Sequence, residues 1–285
     1  MSELLPSSAR HRRATARKAL NTAALAVVAL IFTAPFIWTV LTALKPEDEI
    51  FNGRLRLFGS RIMWSNFSDA WQSIPFGRFV VNSVLVAGLG TLVNVIVSVL
   101  SAYAFSRFRF RSRDRLFLLF LATMLLPSEA LVVPLFILVQ KLGLVNSYAA
   151  LVLPAAFAPF GAFLLRQFML SMPSELEDAA RIDGAGRLRV LVSVILPLIR
   201  PTVAVLAVFT FVSYWGSYLW PLIIVNDQGK ATVPLGLSMF TSQYGTQWSL
   251  LMAGCVISIV PSLVMLVLLQ RHLIKGIASS GFGGR

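Results

Sequence analysis

Residues 79–105 read FVVNSVLVAGLGTLVNVIVSVLSAYAF, and no charged side chain occurs among them. A helix of about 20 residues crosses the roughly 30 Å hydrocarbon core of a bilayer, so this run is long enough to span it. Its apolar residues follow one another without the alternation of a half-buried strand, and only helices and closed barrels satisfy every backbone group in lipid. The stretch therefore predicts a membrane-spanning α-helix.

Five further apolar segments repeat this pattern along the chain. They run over residues 19–44, 116–139, 149–165, 201–225 and 250–270. The first follows a basic head but is longer than the roughly 7–15 apolar residues of a signal peptide. Only 13% of all residues are charged, whereas a soluble domain averages about 25%. We therefore predict an all-α membrane protein with six transmembrane helices, which form one domain over residues 19–270.

Lysine and arginine are distributed unevenly between these segments. The two ends of the chain and the connections 106–115 and 166–200 together carry eighteen of them, and the other connections carry seven. Because cytoplasmic loops are enriched in basic residues, the basic N-terminal tail 1–18 and the C-terminal tail 271–285 are both predicted to be cytoplasmic. The basic connection 106–115 has a composition that also suits a nucleic-acid surface. Because it lies between two apolar segments, it is interpreted as an orientation signal beside membrane lipid.

Residues 173–201, PSELEDAARIDGAGRLRVLVSVILPLIRP, concentrate four acids and four arginines in this apolar chain. Ser174 and Glu177 have the spacing of a capping box, which predicts a helix that starts directly after the serine. Gly184 would then permit a sharp bend. A second helix is expected to follow and to break at Pro197, before the fifth span. The sequence therefore predicts two short helices and a bend on the cytoplasmic side.

One face of the first short helix is predicted to consist of small or apolar residues and one acid. Its members lie three or four positions apart, and they are Leu176, Ala179, Ala180 and Asp183. Such a shallow surface allows close approach of another protein. An amphipathic helix lying among lipid headgroups fits the same periodicity, so the pattern by itself does not identify a partner.

The stretch DAARIDGAGRLRVLVSVILPLIRP resembles the EAA loop of ABC-importer permeases, whose pattern starts E-A-A-x-x-x-G. The residues that match the family are Ala179, Ala180, Gly184, Ile195, Leu196 and Pro197. The chain departs from the pattern at its first position, where Asp178 replaces glutamate and Glu177 stands just before it.

The resemblance extends over nearly the whole chain. Segments similar to carbohydrate-uptake permeases are TALKPEDEIF (42–51), NSVLVA (82–87), SAYAFSRFRFR (101–111), FLLRQF (163–168), YGTQWSLLMAG (244–254) and LLQRHLIKGI (268–277). Together they resemble the second of the two permease subunits of such an importer, as in the maltose and glycerol-phosphate systems.

This resemblance implies a set of partners and a mechanism. A homologous permease would complete a heterodimer, two ATP-binding subunits would drive it, and an extracytoplasmic solute-binding protein would deliver a sugar-type solute. The coupling loop, about 173–197, would dock into the ATPase through Leu176, Glu177, Asp178, Ala179, Ala180, Asp183 and Gly184. ATP and Mg²⁺ would be bound by the partners, since this chain has no G-x-x-x-x-G-K-[ST] motif. The chain itself would be no enzyme.

Two groups of residues are candidates for the translocation path. Glu129 is an acid inside the third apolar segment, where an ionisable group is costly and usually faces the protein interior or water. Pro127 and Pro134 flank it and are expected to kink the helix. The stretch 213–222 of the fifth segment holds four aromatic residues whose rings could stack on sugars, Tyr214, Trp215, Tyr218 and Trp220, and the first three are the path candidates. Purely structural roles remain alternatives for both groups.

The sequence leaves the solute open. The same machinery could import glycerol 3-phosphate or a related polyol phosphate, because such permeases resemble this chain as closely. A self-contained secondary carrier is an alternative of another class, and it would need ion-coupling residues within its spans. No nucleophile–base pair or metal-ligand cluster is recognised, so no catalytic, cofactor-binding or metal-binding residue is predicted.

Overall fold

The computed structural model describes residues 7–52, 56–242 and 245–281, with side chains over 18–52, 56–242 and 245–268. The α-helices are α1 (Ser7–Ala43), α2 (Ser65–Ser73), α3 (Phe76–Arg107), α4 (Arg113–Ala122), α5 (Ser128–Lys141), α6 (Tyr148–Ala156), α7 (Pro159–Leu170), α8 (Glu175–Ile182), α9 (Arg187–Val190), α10 (Leu196–Trp215), α11 (Leu219–Ile224), α12 (Val233–Leu237) and α13 (Trp248–Gly281). The described residues also form four 3₁₀ turns (Glu47–Glu49, Thr123–Leu125, Gln228–Lys230 and Ser238–Phe240), a π-helical turn (Leu191–Ile195) and two short antiparallel strands, β1 (Thr241–Ser242) and β2 (Gly245–Thr246). The outermost parts of the two predicted tails, 1–6 and 282–285, and Tyr244 of the resembling segments lie outside the described residues.

The described residues contain four helices long and apolar enough to cross a membrane, and up to six spans when bent pairs are counted. The four are Lys18–Ala43, Phe76–Arg107, Arg187–Trp215 and Trp248–Leu268. The first pair joins α4 and its 3₁₀ turn to α5 at an angle of 104°, and the second joins α6 to α7 at 42°. Each predicted apolar segment overlaps one of these elements.

Both bends have the same local cause. The residue before a proline is pushed out of the helical region, because its backbone would clash with the proline ring. Leu126, before Pro127, has φ −79° and ψ 123°, and Ala158, before Pro159, has φ −61° and ψ 129°. The predicted bend of the third segment is thus confirmed at Pro127, whereas α5 continues through Pro134.

The predicted break at Pro197 is wrong, because one continuous helical element runs from Arg187 to Trp215. The π-helical turn lies directly before α10, and in it the Leu196 N–H donates to the Leu191 carbonyl, five residues back. A wider turn leaves room for the proline ring, which would clash with the preceding turn of an ordinary helix interior. The fifth span consequently starts earlier than predicted, and α10 ends ten residues before the predicted end at 225.

The chain divides into two units, Met1–Ala70 with Phe240–Ile257 and Trp71–Met239 with Ser258–Arg285. In the first unit, the Glu47 carboxylate accepts hydrogen bonds from the backbone N–H groups of Trp248 (2.9 Å) and Ser249 (2.7 Å). These are free N–H groups at the start of α13, where a negative charge is favoured by the helix dipole. The connection after α1 therefore fixes the start of the last span.

In the second unit, α3 packs against α6, α7 and α10. Glycine allows the closest approaches between these helices, as expected for helix packing in membranes. A Cβ atom added to Gly90 would lie 2.5 Å from the ring of Tyr214, and one added to Gly161 would collide with the side chain of Ser98. The positions of α7 and α10 on α3 thus depend on small residues.

Two asparagines of α3 bind carbonyl groups of other elements. The Asn94 amide donates to the carbonyls of Ala155 (3.3 Å) and Ala156 (3.2 Å), which lie at the C-terminal end of α6. Asn82 donates in the same way to two carbonyls of segment 229–231. The two asparagines thus join α3 by hydrogen bonds to the end of α6 and to segment 229–231, and their own amides find partners that lipid could not supply.

Candidate functional site

The charged stretch folds into α8, a bend and α9. The helix begins at Glu175, directly after Ser174, as predicted. Gly184 has φ +80°, and the Ala185 N–H donates to the Ala180 carbonyl (2.9 Å), which closes the helix by a Schellman-type C-cap. Glycine adopts this left-handed conformation without the steric cost that other residues have. The predicted helix start and the predicted bend are both confirmed.

The predicted capping box is wrong. The Ser174 hydroxyl makes no capping hydrogen bond. Glu177 is only 3% exposed, and its carboxylate pairs with Nε of Arg107 and, at 3.6 Å, with Nη2 of Arg181. Charge-assisted bonds to guanidinium groups are stronger than a bond to one backbone N–H, so the glutamate turns inward.

The outward face of α8 differs in part from the predicted face. Leu176, Ala179 and Asp183 are exposed as expected, but Ala180 is half-buried and packs against the hydrophobic core. Ile182, which the prediction missed, is 87% exposed. Ile182 could have been placed on this face from the sequence, because it lies three residues after Ala179 and residues at this spacing share a helix face.

Acidic side chains accompany the isoleucine on this surface. Glu175 and Asp178 are both exposed, and the Arg181 guanidinium donates to Asp178 at 3.3 Å. An exposed large aliphatic side chain among carboxylates suits a partner that offers an apolar pocket rimmed by cations. The surface of α8 is therefore a candidate docking site for another protein.

A cavity of about 590 Å³ lies between α5, α6, α10 and α11, with Val86 of α3 in its wall. Glu129 from the first turn of α5, Tyr214 from the end of α10 and Tyr218 from the loop that follows all line this cavity. Three of the four path candidates thus come together, although Glu129 is far from the two tyrosines in sequence. Trp215 is not among the lining residues.

Hydrogen bonds between helices fix the aromatic wall of the cavity. The Tyr214 hydroxyl donates to the Val152 carbonyl (2.6 Å), and Trp220 Nε1 donates to the Ala150 carbonyl (2.8 Å). Pro154 has no N–H with which to occupy the Ala150 carbonyl, four residues back. The indole of Trp220 therefore supplies the donor that α6 lacks.

The remaining candidates differ in their surroundings. Trp215 is buried, and its Nε1 donates to the Ser258 carbonyl (3.0 Å), so it supports α13. Tyr218 is 42% exposed, and no described residue forms a hydrogen bond with its hydroxyl. The exposed Glu129 carboxylate accepts one bond, from the adjacent Ser128 hydroxyl (3.1 Å). Glu129 and Tyr218 thus keep free hydrogen-bonding capacity toward the cavity.

Comparison with known proteins shows the family of a chain with these apolar helices, this cavity and an exposed acidic helix. The family model described as "Binding-protein-dependent transport system inner membrane component" matches residues 94–279. The sn-glycerol-3-phosphate transport system permease protein UgpE of Yersinia pestis bv. Antiqua (strain Antiqua) is 35% identical, over 88% of this chain and 92% of that protein. The arabinooligosaccharides transport system permease protein AraQ of Halalkalibacterium halodurans is 34% identical, over 93% and 96%. The chain belongs to this family of inner-membrane transport components, and its place is the membrane of a prokaryote.

Solved structures agree on the fold. A chain of a bacterial ABC transporter that imports the acidic polysaccharide alginate superposes with a TM-score of 0.78 at 22% identity, over 95% of this chain and all of that chain. A chain from the same kind of transporter, in complex with an alginate pentasaccharide-bound periplasmic protein, gives a TM-score of 0.62 at 17% identity, over 89% and 93%. At these identities the likeness concerns the fold alone.

Proposed function

We propose that the chain is one of two homologous permease subunits of an ABC importer for a sugar or oligosaccharide. The observation that carries this proposal is the cavity in which Glu129 and Tyr218 keep free polar groups beside aromatic rings. Carboxylate and phenol groups bind sugar hydroxyls, and aromatic faces pack on sugar rings. A 34% identical relative that is named for arabinooligosaccharides supports the solute class.

In this proposal six spans form the membrane domain, and both termini are cytoplasmic. The coupling loop, about 173–197, docks into an ATP-binding subunit through the exposed face of α8, with Ile182 as its apolar anchor. ATP and Mg²⁺ are bound by two such subunits, and their closure moves α8. A solute-binding protein outside the membrane delivers the solute to the two permeases, which alternate in access to either side.

The cavity is the proposed share of this chain in the translocation path. Glu129 and Tyr218 contact the solute directly, and Tyr214 forms part of the cavity wall. Trp215 acts from behind the wall, because its indole N–H is engaged by α13. The carboxylate at the bend of the third span is thus a polar group in contact with water and not with lipid.

Glycerol 3-phosphate is the second candidate solute. A relative with 35% identity over 88% of this chain is named for its transport. That relative and the arabinooligosaccharide relative are nearly equally similar to this chain, so overall identity does not choose between the two solutes.

Uptake into proteoliposomes tests both the class and the solute. The complete complex is reconstituted with its binding protein, and uptake of radiolabelled arabinooligosaccharides is compared with uptake of sn-glycerol 3-phosphate. We expect accumulation of the oligosaccharide that requires both ATP and the binding protein. Accumulation of the phosphate alone would select the second candidate. Uptake by the purified chain without ATP, under an ion gradient, would overturn the importer proposal in favour of a carrier.

A further inference from the structure

A buried ion pair joins the end of α3 to the start of α8. Arg107 is the last residue of α3, and Glu177 lies in the first turn of α8. Their side chains are 12% and 4% exposed, and within the described part of the chain Glu177 is the only buried carboxylate. Nη2 of the same arginine also reaches the Met172 carbonyl (3.4 Å), in the segment that leads into α8.

The positions of the two charges favour this junction. A cation is stabilised at the C-terminal end of a helix and an anion at the N-terminal end, so both helix dipoles support the pair. Separating α8 from α3 would break a buried ion pair and leave Glu177 with only its longer contact to Arg181 (3.6 Å), which is unfavourable. Apolar packing resists compression of the junction, and the ion pair resists its separation.

The same end of α3 also holds the other side of the bend. The Tyr103 hydroxyl donates to the Arg187 carbonyl (3.2 Å) at the start of α9. The Arg187 guanidinium lies 4.5 Å above the ring of Phe108, directly after α3. Both short helices of the charged stretch are thereby attached to one helix end.

The opposite half of α3 reaches the cavity. Val86 lines the cavity, and Gly90 lies in direct contact with Tyr214 of its aromatic wall. Between these residues and Arg107, α3 is an unbroken helix. A packed helix moves as one body, so a displacement at its end is carried to the cavity wall.

We propose that the Arg107–Glu177 pair is the link that transmits the movement of α8 to α3 and so to the cavity. The two are positioning residues, because neither touches the solute cavity or the exposed face of α8. This inference rests on the proposed docking of α8 to an ATP-binding subunit. It differs from that docking in that the link lies wholly within this chain.

Nucleotide-dependent access to the cavity measures the link without a known solute. Ser213 is exposed on the cavity wall, so Ser213→Cys in a Cys255→Ala background provides a site for maleimide. Labelling of the complete complex is quantified by peptide mass spectrometry, with ATP and vanadate and without nucleotide. The test variants are Glu177→Gln, Arg107→Lys and the exchange Arg107→Glu with Glu177→Arg. Arg109→Gln is the matched control, because it removes an exposed arginine from the connection directly after α3.

We expect Glu177→Gln and Arg107→Lys to retain the ATP-binding subunits and to hydrolyse ATP. Their nucleotide-dependent change in labelling should fall about fivefold or more, the lower end of typical coupling between sites. Arg109→Gln should behave as the parent, and the exchange should restore part of the change. If the pair had only a structural role, its substitution would alter the yield of complex and leave the ratio of labelling with and without nucleotide unchanged.

Three results overturn the proposal. The first is a nucleotide-dependent change in labelling in Glu177→Gln that equals that of the parent. The second is loss of assembly in Glu177→Gln, which would assign the pair to folding. The third is the absence of any nucleotide-dependent change in the parent. Ile182→Asp separates this failure from failure of the docking proposal. If that variant keeps its ATP-binding subunits, the docking proposal is wrong. If it loses them while Glu177→Gln responds as the parent, the link alone is wrong.

Discussion

Glu129 is the one carboxylate in the lining of the described cavity, and its chemical role depends on that isolation. Among the described residues only its neighbour in sequence, Ser128, donates a hydrogen bond to its carboxylate, so Glu129 contributes little to the fold. Removal of an exposed side chain of this kind typically changes stability by no more than about 0.5 kcal/mol. We therefore expect the Glu129 carboxylate to act in transport and not in stabilising the fold.

We predict that Glu129→Ala lowers ATP-driven uptake about tenfold or more, because a hydrogen bond to a charged group is worth about 1.5–3 kcal/mol. The amount of assembled complex should stay unchanged. Uptake and co-purification of all subunits are measured on the same preparation, with Ser213→Ala as the control on the cavity wall. Reduced assembly would mean a structural role, and normal uptake would remove Glu129 from the path.

Gly90 offers a test of the packing behind the cavity. A methyl group there meets the Tyr214 ring at 2.5 Å, whereas one at Gly88 has no neighbour within 4 Å. We predict that Gly90→Ala destabilises the protein by about 1–3 kcal/mol through overpacking. Gly88→Ala should be neutral or stabilising, because alanine is the better helix former. Thermal unfolding of the complex in detergent distinguishes the two, and equal midpoints would contradict the packing described here.

The burial of Glu177 could not be predicted from its sequence neighbours. Local spacing favoured a capping role at a surface, but the arginine that pairs with it belongs to a different helix, more than sixty positions earlier. Glu129, by contrast, was recognisable as a path candidate from its apolar surroundings alone. Local patterns indicate where a charge is costly, and the partner that compensates it depends on tertiary contacts.

At the scale of elements, the effect of a proline depends on what replaces its missing hydrogen bond. Pro127 and Pro159 stand at the starts of α5 and α7, directly after a break in the helix, whereas Pro154 lies inside α6. The carbonyl that Pro154 leaves open is occupied by the indole of Trp220. The sequence showed every proline but not the donors that other elements bring to them, so it could not separate a kink from a break.

We predict that Trp220→Phe costs about 1–3 kcal/mol, since it leaves a part-buried carbonyl without a donor. Pro154→Ala restores an N–H to α6, so in that background the same substitution should cost less. The four proteins of this double-mutant cycle are compared by thermal unfolding of the complex. Strict additivity of the two changes would show that the indole and the proline are not coupled through the Ala150 carbonyl.

The bend after α8 requires glycine because of backbone conformation and not because of space. Gly184 has φ +80°, and no atom lies within 4 Å of an added Cβ. We predict that Gly184→Val strains the bend by about 1–3 kcal/mol and weakens retention of the ATP-binding subunits. Gly184→Asn should have a milder effect, because asparagine tolerates this backbone conformation. Gly186→Ala is the control, since its φ of −69° is unrestricted. Wild-type retention in Gly184→Val would mean that α8 is not a docking element.

At the scale of the whole molecule, the basic residues predict an orientation that labelling can check. With Cys255 replaced by alanine, a cysteine at the exposed Leu188 should react with an impermeant maleimide only after cell disruption, and one at Gln228 should react in intact cells. The physical reason is the bias of eighteen basic residues to seven between the two sides. Reaction at Leu188 in intact cells would invert the proposed topology.

The apolar runs predicted the spans well because the requirement for about 20 apolar residues acts on each segment separately. Their ends were predicted less well. Three consecutive residues, Gly216, Ser217 and Tyr218, leave the helix inside a segment that was predicted to be one continuous span. The cavity is lined by residues of this interruption and of the bend before α5, and a count of apolar residues records neither feature.

The π-helical turn at Leu191–Ile195 has a consequence for the phase of the helix that contains it. A π turn corresponds to one inserted residue, and one residue rotates an α-helix by about 100°. The side chains that α9 and α10 present are therefore offset by that angle from those of an uninterrupted helix. In a relative that lacked one residue in this turn, the side chains of α9 would be rotated by that angle relative to those of α10. Either α9 or α10 would then have to turn about its axis to keep its contacts. Comparison of family members by residue count alone would consequently misalign one side of this turn.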